Sequence, residues 1–205
     1  MKAMKLIPIL TLITTFAVAQ EIQQIPSEQI AKIAGKAIET LGSPSDAPFS
    51  VDADASKAAG IQAGGDTGLL AIPDRKLAAE AVAGAGKTVS GIAQLWMRNV
   101  VLAVNNAAAD PAKLRTVTFR EGDNEAKAEA YFIGVSKTDS GALELALFAK
   151  DKEPLVKVPL VKTETAASSV PIALDGRKEG ENRGVLVVTI FGSYKADIAV
   201  TRPRE

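Results

Sequence analysis

Residues 141–161, "GALELALFAKDKEPLVKVPLV", decide how this chain folds. Within Leu143-Glu144-Leu145-Ala146-Leu147, and again in Val156-Lys157-Val158, every second residue is a large apolar one. Successive side chains of a strand point to opposite faces, so this period predicts strands with one buried face and one wet face. Between the two runs lies "KDKEP", a turn composition, and so short a connection joins antiparallel neighbours. Pro159 has no N–H to give to a ladder, which places its strand at a sheet edge.

The flanking sequence repeats the pattern. "KAEAYFIGV" (127–135), "SVPIAL" (169–174), "GVLVVTIF" (184–191) and "KADIAV" (195–200) read as further strands. "SKTDSG", "DGRKEGENRG" and "GSY" supply turn chemistry between them. Strands recurring this often predict a mainly-β fold: an antiparallel β-sandwich or partly open barrel.

The first half is harder to read. "IPSEQIAKIAGKAIETLGSP" (25–44) predicts an amphipathic helix, with Ser27 as N-cap and Glu28 adding negative charge to the first turn. Ile30, Ile33, Ala37, Ile38 and Leu41 form its apolar face, expected to pack on the chain's own domain. Gly42 is placed to end the helix and Pro44 prevents its continuation. "SPSDAP" (43–48) has a linker's composition. "GLLAIP" (68–73) is an apolar run, and "PDRKLAAEAVAGAG" (73–86) predicts one short additional helix ended by Gly84 or Gly86. "TVSGIAQLWMRNVVLAV" (88–104) mixes its signals. Ser90, Gln94 and Arg98 recur every four residues as on a helix. The Val and Ile content, Gly91 and the following Asn105-Asn106 favour strands around a turn, and we read strands. The expected organisation is a helix and linker over residues 20–46 and a single mainly-β domain over 47–205.

The opening "MKAMKLIPILTLITTFAVAQ" has basic Lys2 and Lys5, an apolar run from Leu6 to Val18, and an A-x-A site at Ala17-Val18-Ala19. That order predicts a signal peptide cleaved after Ala19, leaving Gln20 first and the protein periplasmic or secreted. No later apolar stretch is long enough to span a bilayer, so the mature chain is expected to be soluble. The 24 Lys+Arg balance the 24 Asp+Glu, and loss of two lysines leaves a slightly acidic protein. Such a chain has no field to attract nucleic acid.

Cysteine and histidine are both absent. Disulfides, imidazole general bases, and Ser–His or Cys–His pairs are therefore excluded, and zinc, copper and haem lose their usual ligands. "AVAGAGKT" (81–88) comes within one residue of a phosphate loop, its first glycine being Ala81. A phosphate loop leaves a buried strand and enters a helix. Here the preceding residues look helical, so we read a helix C-terminus, with Lys87 near the last carbonyls, and expect no cofactor. In "VDADAS", Asp52 and Asp54 alternate, and Asp66 follows in "GGDTG"; together they are weak calcium candidates. No Ser-x-x-Lys or G-x-S-x-G occurs. Trp96 and "YFIG" (131–134) read as core. The hydrophilic stretch 175–184 offers Arg177, Lys178 and Arg183 as a recognition loop, and the Pro159 edge offers a strand-docking site.

Two functional expectations follow. One is an exported, non-catalytic β-domain that contacts an envelope or secreted protein partner. The other is a small-molecule binder or carboxylate-dependent hydrolase, with a pocket between sheet and helices. Export itself is checked by the intact mass of the native protein from fractionated cells: a mass lacking residues 1–19 is expected, outside the cytoplasm.

Overall fold

The computed structural model describes residues 22–64, 66–121 and 124–203, so the signal peptide read at residues 1–19 lies outside the described residues. The chain begins with β1 (Ile22–Gln24), α1 (Ser27–Leu41), β2 (Ala59–Ala63), β3 (Gly68–Pro73) and α2 (Ala79–Ala83). It continues through β4 (Ser90–Arg98), β5 (Val101–Val104), β6 (Ala107–Ala108), β7 (Thr116–Glu121) and β8 (Asn124–Lys137). It ends with β9 (Leu143–Phe148), β10 (Val156–Pro159), β11 (Val161–Lys162), β12 (Ile172–Lys178), β13 (Arg183–Ile190) and β14 (Tyr194–Thr201). All pairings between these strands are antiparallel, and the fold is mainly β.

Two sheets form a sandwich. The larger runs β1-β2-β3-β4-β8-β9-β10, with β7 on β8; the smaller runs β12-β13-β14-β5-β6, with β11 on β14. The strands expected over 88–104 are present, but they belong to different sheets. Asn99, at φ +57°, turns the chain from β4 in the larger sheet to β5 in the smaller. Asn105 and Asn106, at φ +52° and +64°, make the two-residue turn of the β5–β6 hairpin, where both central residues need positive φ. The chain returns to the larger sheet between β6 and β7, and crosses to the smaller again at buried Leu160, between β10 and β11.

The sheets bury a shared core. Leu95, Met97, Ile133 and Leu145 come from the larger sheet, and Ile172, Leu186 and Ile198 from the smaller. Each such side chain contributes roughly 1.5–3 kcal/mol when fully buried. On its outer face the smaller sheet is wet, and β14 alternates buried and exposed residues along most of its length.

The larger sheet is covered on both faces. On its outside, Ile30, Ala34 and Ala37 of α1 pack on Leu70, Ile72 and Trp96. Beyond the helix, Phe49 and Val51 pack with Val89 on Phe132 and Phe148. The Phe49 ring stands edge-on to Phe132 and Phe148, with centroids 6.1 and 5.3 Å away. Glycines make this possible. A Cβ on Gly60 would collide with the Ile30 side chain, and one on Gly91 or Gly134 would run into Phe49 or Val89. Arg115 ties the layers together. Its guanidinium donates to Asp46 Oδ1 at 2.9 Å and to the Ala149 carbonyl at 3.1 and 3.3 Å, with the Phe132 ring 5.7 Å beneath. That hydrogen bond holds the Asp46 carboxyl below the usual range.

Four local expectations change. Pro26, not Ser27, caps α1, without a side-chain bond. β1 pairing and the Ile25 N–H bond to Gly60 O at 3.0 Å lead the chain directly into the helix. Within α1 the buried stripe is Ile30, Ala34 and Ala37, while Ile33 is 42% exposed. The short second helix starts at Ala79 rather than at Pro73, which closes β3. Between them Asp74 accepts from the Asp52 and Lys76 N–H groups, each at 2.8 Å, and stabilises a turn. Finally, Asp175–Lys178 continue β12 and Arg183-Gly184 open β13, so the tip is only 179–182, with Gly180 at φ +103°. The expected stop at Gly42 is observed, at φ +59° with its N–H on Ile38 O.

Pro159 does sit on an edge strand, as its missing N–H requires. The opposite edge leans towards the smaller sheet, where Gln24 Nε2 donates to the Leu174 carbonyl of β12 at 2.9 Å.

Gly91→Ala and Gly134→Ala are each expected to destabilise the fold by about 1–3 kcal/mol, since Phe49 must shift in the first and Val89 in the second. Combining Gly91→Ala with Phe49→Ala should cost less than the sum, because both act on one contact. Denaturant midpoints of the four variants check this.

Candidate functional site

α1 covers only part of the larger sheet's outer face. Beyond it the strands continue into the β7–β8 hairpin, and a groove of about 400 Å³ opens between helix and sheet. That volume lies in the range of small-ligand sites. Its floor is apolar: Leu70 from β3, Trp96 from β4 and Phe119 from β7, with Trp96 and Phe119 rings tilted at 5.6 Å. Trp96 is held in place by its Nε1–H, 3.3 Å from the buried Gln94 Oε1. Ile25 and the exposed Ile33 line the helix side.

The groove's charged residues are Lys36 on α1, Arg98 at the end of β4, Lys127 on β8 and Asp66 in the β2–β3 turn. Arg98 is 3.6 Å from Asp66 Oδ1, and Lys127 is 3.9 Å from Glu125 Oε1. Both pairs are exposed, and such pairs contribute little to stability. Lys36 makes no ion pair among the described residues.

A second, smaller cleft of about 130 Å³ lies at the same end of the molecule, between the edges of the two sheets. It gathers Arg177, Lys178 and Arg183 on one rim together with Arg202. Arg177 reaches Asp197 at 3.0 Å and Glu179 at 3.3 Å, which raises its already high pKa. Burial pushes the Asp197 carboxyl up, but the bonds from Arg177 and Lys195 outweigh it and hold it low. Arg183 donates to Asn106 O at 2.9 Å. Pro159 does not join this rim. It lies on β10, the edge of the larger sheet opposite β1.

The acidic candidates are spread out. Asp52 and Asp54 lie beyond one end of β3, where both face Arg75. Asp54 Oδ1 caps a short turn, accepting from the Ser56 N–H and hydroxyl at 3.1 and 2.6 Å, and these bonds lower its pKa. Asp66 lies before the other end of β3, against Arg98. Among the described residues no group of three or more His, Cys, Asp or Glu is placed to share a metal ion.

At "AVAGAGKT" the chain order is helix, turn, strand, the reverse of a phosphate loop. Lys87 does not approach the α2 carbonyls as expected. Its Nζ lies 2.7 Å from Asp139 Oδ1 on a neighbouring turn, where the Gly86 carbonyl also receives the Lys137 N–H.

Burial raises the pKa of two further groups. Tyr131 is fully enclosed in the core beside the Leu102 backbone, and burial holds its proton tightly. Its hydroxyl has no hydrogen-bond partner among the described residues. Glu129 is half-buried on β8; burial pushes its carboxyl up, and the Thr116 hydroxyl, 3.0 Å from both oxygens, offsets only part of this. Neither lines the groove.

Comparison of the chain with protein-family models, curated proteins and solved structures returned no match. Among the described residues, no helix is long and apolar enough to cross a membrane. Of the site residues, the hydrophilic 175–184 stretch marked Arg177, Lys178 and Arg183. A pocket between sheet and helices was an expectation, but its lining was not named, because its walls come from distant segments and Trp96 and Ile33 looked like ordinary core.

Glu129 gives a pH prediction. The folded state favours its protonated form, so folding takes up a proton between the unfolded and the raised folded pKa. Stability contributed by this group is therefore present at low pH and lost as pH rises through the folded value. Glu129→Gln should stabilise the protein at neutral pH, and the gain should vanish below about pH 4, where the native carboxyl is protonated in both states. Urea midpoints at the two pH values check it.

Proposed function

We propose that this chain is an exported, non-catalytic binding domain that takes an apolar ligand in the groove beneath α1. The observation that carries this reading is the groove itself: it joins a Trp96–Phe119 floor to an exposed isoleucine at its lip. The signal-like order of residues 1–19 supports export. A carboxylate-dependent hydrolase needs two facing carboxyl groups. The groove presents one, Asp66, and it already faces Arg98.

Protein contact through the β12–β13 hairpin is the second reading, because Arg177, Lys178 and Arg183 share one rim. The Pro159 strand supports strand addition less well. It is four residues long, lacks one N–H, and carries the Lys157–Glu144 pair at 2.8 Å; such features blunt an edge.

Trp96 is the chain's single tryptophan, so energy transfer from it to a neutral naphthylamine probe reports occupancy of the groove. Binding of the probe is expected. Ala126→Phe, beside its cross-strand partner Phe119 on the groove face, should weaken it by about tenfold or more, equivalent to about 1.4 kcal/mol, with little change in Tm. Unchanged affinity in that variant would place the site elsewhere.

A further inference from the structure

Removal of the signal peptide would give the mature chain a reactive first residue. The A-x-A site ends at Ala19, and the next residue is Gln20. A terminal glutamine carries its own nucleophile and electrophile, the α-amine and the side-chain amide carbon, at a spacing that closes a small, unstrained ring. Reacting groups held in one residue avoid most of the entropic cost of encounter. The nucleophile is the neutral amine. An α-amine has a pKa of about 7.7–8.0, so roughly a tenth of it is neutral at pH 7. In the step the α-nitrogen attacks Cδ and an N–Cδ bond forms. The Cδ–Nε2 bond breaks, and Nε2 leaves as ammonia with the proton the amine gives up. The product is a lactam, pyroglutamate, and no oxidant or cofactor takes part.

The fold gives that modification a task. The described ladder starts at Ile22, so cleavage after Ala19 leaves Gln20 and Glu21 ahead of it. β1 is three residues long and lies at a sheet edge. Chain termini are where proteolysis concentrates, and with no cysteine in the chain no disulfide ties this one down. Yet β1 carries contacts that join the two sheets. Gln24 Nε2 donates to the Leu174 carbonyl of the smaller sheet at 2.9 Å. The Ile22 side chain lies so close to Gly176 of β12 that a Cβ there would meet it at 2.9 Å. Just beyond, the Ile25 N–H bond to Gly60 O leads the chain into α1. An exopeptidase that needs a free α-amine would reach these contacts within a few residues, and a lactam offers it no amine.

We propose that Gln20 is converted to pyroglutamate once the signal peptide is removed, and that the ring guards β1, and with it the seam between the sheets, against aminopeptidases. This rests on the export reading above and adds a covalent modification to it. It is independent of what the groove binds.

The test is the intact mass of the native protein from fractionated cells, with its N-terminal peptide sequenced by mass spectrometry. A chain lighter than residues 20–205 by one ammonia is expected, with the loss located on Gln20. A chain that starts at Gln20 and keeps its ammonia would overturn the modification and leave export intact. A full-length chain, or one that starts at another residue, would overturn the cleavage on which the proposal rests. For the guarding role, the native protein and the variant Gln20→Ala are incubated with a broad-specificity aminopeptidase. The wild type should keep its mass. Gln20→Ala should be shortened into β1 and lose roughly 2–4 °C or more of Tm as the Gln24–Leu174 bond goes. Equal resistance of the two proteins would overturn the guarding role.

Discussion

Burial of one sheet on both faces is the constraint on which this structure depends. In β4, six consecutive residues from Ile92 to Met97 are buried, so the strand has no wet side. A sheet of this kind needs two covers. The smaller sheet provides one. α1 and the segment carrying Phe49 provide the other, docked over glycines that leave room for Ile30 and Phe49. The N-terminal helix is therefore part of the fold rather than an appendage, and the linker composition of 43–48 hides a segment fixed by Arg115. The groove follows from the same constraint. It occurs where the outer cover is too narrow for the sheet beneath it.

The titratable groups show how little of the surface chemistry is gathered in one place. Asp46, Asp54 and Asp197 are held low by different partners in three separate regions, each bond holding a local turn or strand pair. Glu129 and Tyr131 are raised by burial, and neither lines the groove or the smaller cleft. Catalytic sites bring perturbed groups together so that one can act on a proton held by another. Here Asp46, Asp54 and Asp197 hold separate corners of the sandwich, and the raised pair, Glu129 and Tyr131, are neighbours on one face of β8.

How much of this was legible in the sequence depended on the number of wet faces each strand keeps. β10, β12 and β14 alternate in burial, and their existence, short turns and antiparallel pairing could be read from the chain. β9 was expected to keep a wet face too, but Phe49 covers its outer side and Leu145 to Phe148 are all buried. β3 and β4 do not alternate, because both faces are buried, and their apolar runs fit a helix as well as a strand. Gln94 added to the ambiguity. It looked like part of a polar stripe at helical spacing, yet it is buried as the hydrogen-bond partner of the Trp96 indole. The change of sheet at Asn99 left only an asparagine as its trace.

Ile33 shows why the lining of the groove could not be read in advance. Helical spacing groups it with Ile30, Ala37 and Leu41, and a helix against a broad surface would bury all four. α1 instead uses Ala34 and Ala37 for close approach, which narrows the buried stripe and turns Ile33 outward. A single exposed isoleucine carries little meaning by itself. This one lines the same groove as Trp96 and Phe119, so three large apolar groups from three segments surround a space that the chain itself does not fill. Closer packing by a larger residue at Ala126 or Ala128 would have filled it with apolar contacts of its own. The small residues at those positions preserve the groove, and with it an apolar surface suited to another molecule.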